Sequence, residues 1–263
     1  MAKQAIKNDM PYALVSGGSK GIGYAIAVAL AKRKYNLILI ARNVEELNHA
    51  KNQLETAYPI HVEILPLDIS VDDSAMKIGT WCVERDLRLT MLCNVTGIGG
   101  SADYLSSSLK DSLYMLRLNT EPAASLISHL LPLLRKNAPS FILNVSSMAG
   151  FAPIPIKNIY SATKSFMIFF SQSLRQQLRK ENISVSCLCP GPVFTKPSIE
   201  KETIKKLGWL GKHMALPPER IGEIAIDRTL KRSAIIVPGF LAKTISVILR
   251  TLPAKWIVSM IND

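Results

Sequence analysis

The sequence lacks an uninterrupted apolar run long enough to cross a membrane. Its longest mostly apolar windows lie near Leu126–Leu134 and Ala234–Leu249, and both are shorter than, or interrupted within, the ~20 residues that a membrane span requires. The first residues, Met1-Ala2-Lys3-Gln4, also lack the apolar stretch of a secretory signal. These absences predict a cytoplasmic protein.

Cysteine and histidine are scarce, with four residues of each type in the chain. Cys187 and Cys189 alternate along a predicted strand, so both thiols are expected on one of its faces. Buried free thiols in a reducing compartment are the ordinary interpretation of such cysteines. The histidines form no cluster with them in the sequence, so no metal site is predicted.

Acidic residues are in the minority, with 20 against 32 lysines and arginines, which gives a net charge of +12. The chain has no basic stripe interleaved with aromatic residues and no nucleic-acid motif, so a nucleic-acid partner is not predicted. Two other interpretations stay open. The positive field attracts anionic ligands such as a dinucleotide phosphate, or it attracts the chain loosely to an anionic membrane.

Short apolar runs that predict strands alternate with segments of helical periodicity. Strands that are apolar on both faces indicate a parallel sheet covered by helices on both sides. Right-handed crossovers then predict an α/β, Rossmann-type, doubly wound fold with a seven-stranded parallel sheet. The predicted strands are Tyr12–Ser16, Asn36–Ala41, His61–Leu67, Thr90–Val95, Ser140–Ser146, Ser184–Cys189 and Ser233–Val237. The predicted helices are Ile22–Arg33, Val44–Tyr58, Ser74–Arg85, Leu109–Lys136 with breaks at Pro122 and Pro132, and Asn158–Glu181.

No repeat, low-complexity tract or linker divides the chain, so residues 1–263 are predicted to form a single domain. The segment Pro192–Pro217 interrupts the alternation and is interpreted either as a lid over a substrate or as a surface excursion. The tail, residues 240–263, is mostly apolar with basic margins. It is expected to pack on its own domain or a partner subunit, to shape the substrate entrance, or to lie on a membrane as an interfacial helix.

The first strand runs into a glycine-rich turn that precedes the first helix. Glycines here let the backbone approach a pyrophosphate, whose charge is stabilised by the free N–H groups at the helix N-terminus. The spacing of the three glycines is a weak signal alone, and a turn without ligand is the alternative. Between a first strand and a first helix it predicts a dinucleotide site. The predicted contacts are Gly17, Ser19, Lys20, Gly21, Ile22 and Gly23.

The end of the second strand carries Arg42 and no acidic residue. A carboxylate there suits the ribose hydroxyls of NAD, whereas a guanidinium binds the 2′-phosphate of NADP. Lys20 adds a second positive charge, so NADP(H) is predicted over NAD(H). The alternative for Arg42 is a solvated charge that opens the second helix beside Glu45 and Glu46.

Tyr160 and Lys164 are four residues apart in a predicted helix, so their side chains share a face. A phenol is a weak acid at neutral pH, and an ammonium about 4 Å away is expected to lower its pKa by about three units. That shift would bring the pKa of Tyr160 towards the working pH, where general acid–base catalysis is efficient. A tyrosine and a lysine at this spacing are more often two exposed side chains on a helix surface without a catalytic role.

These motifs together resemble the short-chain dehydrogenase/reductase family, and the resemblance covers nearly the whole chain. It implies that Ser147, in Asn144-Val145-Ser146-Ser147, is the catalytic serine and that Asn119 holds a water of a proton relay. It implies an adenine site at Asp68 and Ile69, and a turn beside the adenine ribose at Asn94 and Gly97. The family's usual alanine in that turn is Thr96 here. The contacts implied for the nicotinamide are Pro190, Gly191, Val193 and Thr195, together with Tyr160 and Lys164.

The resemblance further implies hydride transfer between NADP(H) and a carbonyl or alcohol, with Tyr160 as the proton donor, Ser147 steadying the carbonyl oxygen and Lys164 holding the nicotinamide ribose. The run Asn144–Lys164 and the helix beyond it look like the branch of 17β-hydroxysteroid and long-chain 3-ketoacyl-CoA reductases, which implies an apolar ketone substrate. Family members are commonly homodimers or homotetramers. The alternative function is an NADP-binding regulatory or scaffold protein without turnover.

Overall fold

The computed structural model describes residues 10–99, 104–105, 107–193 and 215–262. Within them, seven parallel strands form one sheet in the order β3-β2-β1-β4-β5-β6-β7. This arrangement confirms the predicted doubly wound fold. The strands are β1 Tyr12–Ser16, β2 Asn36–Ala41, β3 Val62–Pro66, β4 Leu89–Asn94, β5 Ser140–Val145, β6 Ile183–Leu188 and β7 Ile235–Ile236.

Helices cover both faces of this sheet, as predicted, because adjacent strand residues point to opposite sides. Val15 packs with helices α1, α2 and α6, whereas its neighbour Leu14 packs with α3, α4 and α5. Leu14 and Val15 are both fully buried. The helices are α1 Gly21–Lys32, α2 Val44–Ala57, α3 Ser74–Glu84, α4 Leu109–Lys136, α5 Asn158–Gln177, α6 Pro218–Leu230, α7 Phe240–Thr251 and α8 Ala254–Asn262.

Three of the predicted elements differ from the structure in their continuity or length. Helix α4 is continuous, so the breaks expected at Pro122 and Pro132 do not occur. A proline in a helix costs about 3 kcal/mol, and the buried leucine-rich face of this 28-residue helix outweighs that cost. Helix α5 ends at Gln177 and continues only as a 3₁₀ turn, and β7 contains two residues in place of the expected five.

The carboxyl ends of the central strands lie side by side at one edge of the sheet. Ser16 at the end of β1 is in register with Asn94 of β4, and Asn94 is in register with Asn144 of β5. The strand order reverses between β1 and β4, and α/β sheets bind ligands in the crevice at such a point. The predicted site residues follow these strand ends.

Two 3₁₀ turns, Met148–Phe151 and Pro155–Lys157, connect β5 to helix α5. The C-terminal helix α7 packs on the first of them, through a cluster that contains Met148 and Ala242. No helix in the described part of the chain is long and apolar enough to span a membrane. The expectation that residues 1–263 form a single domain stays a prediction, and most of the segment Pro192–Pro217 lies outside the described residues.

Candidate active site

The glycine-rich turn has a backbone that side chains would obstruct. Gly17 and Gly21 have φ angles of +70° and +58°, in the left-handed region that favours glycine. A Cβ on Gly23 would lie 2.0 Å from the carbonyl oxygen of Gly17, so a side chain cannot fit without moving the turn. Helix α1 begins at Gly21, and the side chain of its N-cap residue, Lys20, does not cap it. Its first N–H groups are therefore left to an anion, which fits the pyrophosphate of a dinucleotide.

Two polar side chains of this turn are bound by a residue that the sequence analysis did not assign to the site. Glu46 of helix α2 accepts a hydrogen bond from the Ser19 hydroxyl over 3.1 Å and forms an ion pair of 2.7 Å with Lys20. Sequence reasoning had placed Glu46 only beside Arg42, at the start of the same helix. Ile22, the remaining predicted contact of the turn, packs against the core.

Arg42 follows β2, where the sequence places it, and meets a second predicted residue. Its guanidinium lies 3.8 Å from the carboxylate of Asp68 and 3.3 Å from the hydroxyl of Tyr114. Burial opposes ionisation of Asp68, but hydrogen bonds from Ser70 and the charge of Arg42 outweigh it and lower the pKa of Asp68. The next residue, Ile69, is buried. Arg42 and the residues expected beside the adenine therefore form one cluster.

Asn94 and Gly97 occupy different surroundings although they belong to one motif. Asn94 is buried in the sheet, where its amide donates to the side chain of Asn144 over 2.8 Å. A Cβ on Gly97 would lie 3.0 Å from Oδ1 of Asn119 and 3.3 Å from Nζ of Lys164. Gly97 thus borders the predicted proton relay, a role that its sequence motif alone did not indicate. A Cβ on Gly17 would lie 3.2 Å from Oγ1 of Thr96.

The four predicted catalytic residues converge at the strand ends. The hydroxyl of Ser147 lies close enough to the phenol of Tyr160 to lower its pKa. Nζ of Lys164 donates to the carbonyl oxygen of Val145 over 3.3 Å and lies 5.6 Å from the ring centre of Tyr160. Asn119 reaches the same place from the middle of helix α4.

The side chain of Asn119 is held by hydrogen bonds at both of its polar atoms. Its Oδ1 accepts from the amide of Ile98, and its Nδ2 donates to the carbonyl oxygen of Ile98 and to the hydroxyl of Thr163. These bonds span 2.8 to 3.1 Å. They fix Asn119 between the loop after β4 and helix α5, so its orientation beside Lys164 is set before any ligand binds.

Burial decides the protonation of the central pair. It raises the pKa of Tyr160, and the hydrogen bond with Ser147 offsets this only in part. Burial also lowers the pKa of Lys164 to about 8, against a smaller opposing influence of Cys187 and Cys189. The expectation that Lys164 lowers the pKa of Tyr160 was therefore wrong for this structure, because it counted the attraction between the two groups and neglected their desolvation.

The two cysteines lie behind Lys164, in the interior. As predicted from their alternation, their thiols share one face, with the sulfur atoms 3.9 Å apart, and both are free and buried. The described residues contain no cluster of three or more potential metal ligands.

The segment expected to contact the nicotinamide begins beside the catalytic serine. The carbonyl oxygen of Pro190 accepts a hydrogen bond of 3.0 Å from the amide of Met148, the residue after Ser147. Gly191 and Val193 follow and are half-buried. Thr195 lies outside the described residues.

The chain matches the sequence model of the short chain dehydrogenases over residues 11–205. It belongs to that family. One relative, the very-long-chain 3-oxoacyl-CoA reductase of Mus musculus, is 33% identical over 205 residues, which cover 74% of this chain and 64% of the mouse protein. A dehydrogenase/reductase SDR family protein 7-like of Drosophila melanogaster is 29% identical over 95% of this chain and 79% of its own length. The matched part thus spans less than two thirds of the mouse relative.

Solved structures show the same fold at low sequence identity. L-sorbose reductase of Gluconobacter frateurii, complexed with NADPH and L-sorbose, superimposes with a TM-score of 0.78 at 22% identity, over 89% of this chain and 97% of that one. A short-chain dehydrogenase of Sphingobium yanoikuyae in complex with NADPH gives 0.78 at 23% identity, over 93% and 97%. The family match confirms the predicted family, and the matched relatives confirm the resemblance to 3-ketoacyl-CoA reductases.

Proposed function

We propose that the protein is an NADPH-dependent reductase of apolar ketones or aldehydes. The observation that carries this proposal is the convergence of Ser147, Tyr160, Lys164 and Asn119 at the carboxyl edge of the sheet, beside a glycine turn that leaves helix N–H groups open to a phosphate. A dinucleotide at this turn and a proton donor at this edge are the two requirements of carbonyl reduction by a nicotinamide.

In the proposed mechanism, Tyr160 donates its phenolic proton to the substrate oxygen. Its raised pKa keeps the phenol protonated at neutral pH, as the reductive direction requires. The Ser147 hydroxyl, which lies near that phenol, binds the same oxygen. Lys164, with a pKa of about 8, exchanges protons near the working pH. Asn119, next to Lys164, binds a water of the proton relay. A bound NADPH supplies the hydride.

Turnover tests this assignment most directly. We expect NADPH oxidation with ketone substrates in the wild type and a loss of about 10²- to 10⁴-fold in kcat for Tyr160→Phe, because the phenyl ring fills the same space without a proton to donate. Binding of NADPH, measured by its fluorescence, should change little. If NADPH binds to the wild type but no carbonyl compound is reduced, the regulatory or scaffold alternative would replace this proposal.

The preference for NADPH over NADH rests on Arg42. Its guanidinium is 68% exposed at the end of β2, and no residue immediately beside it in the sequence is acidic. We expect Arg42→Asp to weaken NADPH binding at least tenfold more than NADH binding, since the carboxylate repels a 2′-phosphate and suits free ribose hydroxyls. Arg85→Asp is the matched control, because Arg85 lies between the end of helix α3 and the start of β4, away from the carboxyl ends of the strands. Equal losses for both cofactors would refute the assignment.

The substrate class is proposed from the relatives. Very-long-chain 3-oxoacyl-CoA reductases are among the proteins most similar in sequence, and their name describes a ketone on a long apolar chain. We therefore expect 3-oxoacyl thioesters to be reduced with a kcat/KM that rises with acyl chain length. A small polar ketone serves as the comparison, and a higher kcat/KM for it than for the long thioesters would contradict an apolar substrate.

The other expectations remain proposals of the same kind. We retain a single domain, a lid formed by the segment Pro192–Pro217, a homodimer or homotetramer and a cytoplasmic location. Size measurement in solution and limited proteolysis address the first three, and fractionation of cells addresses the last.

A further inference from the structure

The C-terminal helices α7 and α8 each present one face to the protein and another to the outside. On helix α7, Ala242 and Ser246 are buried, and Ile245 packs in the cluster around Met148. On helix α8, Ile257 is buried. The contacts of helix α7 attach the tail to the turn that follows Ser147, so the tail is part of the folded chain.

The exposed positions of the tail include several large apolar side chains. Phe240 is 88% exposed, and Val247, about two turns further along helix α7, is 49% exposed. Ile248 flanks them at 48%, and Trp256 of helix α8 is 55% exposed. Single exposed hydrophobic residues are common, but four large ones on two consecutive short helices indicate a binding surface.

The charge of the same segment selects the occupant. Residues 240–263 contain Lys243, Arg250 and Lys255 against one acidic residue, Asp263, in a chain with a net charge of +12. An anionic surface complements this set, whereas a second copy of the tail would bring like charges together. Basic margins beside exposed apolar side chains, with a tryptophan among them, are typical of helices that lie in the interface of a bilayer.

The lengths of the helices exclude a spanning arrangement for the described tail. Helix α7 has 12 residues and helix α8 has nine, and at about 1.5 Å per residue neither approaches the ~30 Å of a hydrocarbon core. Contact with a bilayer must therefore be along its surface.

We propose that helices α7 and α8 bind the surface of an anionic lipid bilayer, with Phe240, Val247, Ile248 and Trp256 inserted between the headgroups and the lysines against lipid phosphates. Because helix α7 packs on the turn after Ser147, this arrangement holds the candidate active site next to the lipid phase. Access to membrane-dissolved ketones follows only if the proposed function is also correct, whereas binding to the bilayer does not depend on it.

Sedimentation with lipid vesicles tests this proposal on the full chain. We expect the protein to bind vesicles that contain 30 mol% phosphatidylserine at least tenfold more strongly than pure phosphatidylcholine vesicles, and less strongly as salt is raised. The double variant Phe240→Ser/Trp256→Ser should lose at least tenfold in binding. The matched control is Val71→Ser/Val83→Ser. It removes one exposed apolar side chain in helix α3, Val83, and one just before that helix, Val71, and it should bind like the wild type.

A second pair of variants separates charge from apolar contact. Lys243→Gln/Lys255→Gln should weaken binding to anionic vesicles about tenfold or more, while Lys77→Gln/Lys110→Gln, with the same change in net charge on other exposed helix positions, should lose much less. Unchanged circular dichroism and NADPH binding would show that each variant is folded. Equal losses for the two lysine pairs, binding that ignores lipid charge, or no binding at all would overturn the proposal. So would self-association in solution that the Phe240→Ser/Trp256→Ser variant abolishes.

Discussion

Glu46 offers a test of how the glycine-rich turn would bind a cofactor. It binds the side chains of Ser19 and Lys20, which a 2′-phosphate would also contact. Its carboxylate pairs with Lys20 at 2.7 Å and accepts from the Ser19 hydroxyl at 3.1 Å. NADPH would have to draw Lys20 away from this carboxylate and place a second anion near it. NADH carries no 2′-phosphate and meets neither obstacle. We therefore expect Glu46→Gln to favour NADPH selectively.

The size of the effect follows from the exposure of the pair. The side chains of Lys20 and Glu46 are 73% and 36% exposed, and an exposed ion pair contributes up to about 1 kcal/mol. Repulsion between the carboxylate and a phosphate a few ångströms away in a solvated site adds a similar amount. The sum, about 1 to 2 kcal/mol, corresponds to a gain of about five- to thirtyfold in NADPH affinity. Gln retains the ability to accept from Ser19, so the turn itself should persist.

Fluorescence titration with NADPH and NADH at low and high salt measures this gain. Glu45→Gln is the matched control, since Glu45 is an exposed neighbour in the same helical turn and the change in net charge is identical. NADH affinity should change less than twofold in both variants, and the gain for NADPH should shrink at high salt. If Glu45→Gln and Glu46→Gln raised NADPH affinity equally, or if Glu46→Gln lowered it, the reasoning would be refuted.

Two further predictions concern buried positions. The pKa of Lys164 is about 8 when folded and 10.5 when unfolded, so the unfolded chain binds more protons between these values and stability rises with pH there. The cost of burying the charged ammonium of Lys164 is present below pH 8. Lys164→Met removes this cost and should therefore be more stable than the wild type at pH 7.5. This advantage should shrink by about 2 kcal/mol by pH 9.5 in urea titrations, at about 1.4 kcal/mol per pH unit; a constant difference would contradict the assignment. Gly23→Ala places a Cβ 2.0 Å from the Gly17 carbonyl oxygen, so NADPH binding should fall at least a hundredfold, and near-normal binding would show that the turn adapts.

The order of strands and helices was predictable because it depends on local patterns. Apolar runs such as Asn36–Ala41 predict buried strands from their own composition, and the structure has that strand with the same bounds. The spacing of Tyr160 and Lys164 places them on one helix face whatever the surrounding fold. Boundaries were less predictable at helix ends and at β7, where the last hydrogen bonds depend on neighbouring segments.

The motifs also predicted which residues gather at the sheet edge, since the carboxyl ends of parallel strands meet there. Ser147, Asn119, Tyr160 and Lys164 come together from the loop after β5, from α4 and from α5, as that topology requires. Within the described residues, Arg42 meets Asp68 for the same reason. These placements follow from the fold class and from positions in the sequence.

By itself, then, the sequence determined the family, the doubly wound fold and the residues at the candidate site, because each depends on periodicity, composition or ordered motifs. Only the tertiary structure decided that Glu46 binds two side chains of the glycine-rich turn, that Gly97 borders Lys164, and that burial raises the pKa of Tyr160. It also decided which face of the tail stays outside. Desolvation and contacts between distant segments exist only after the chain is packed, so no local pattern of residues encodes them.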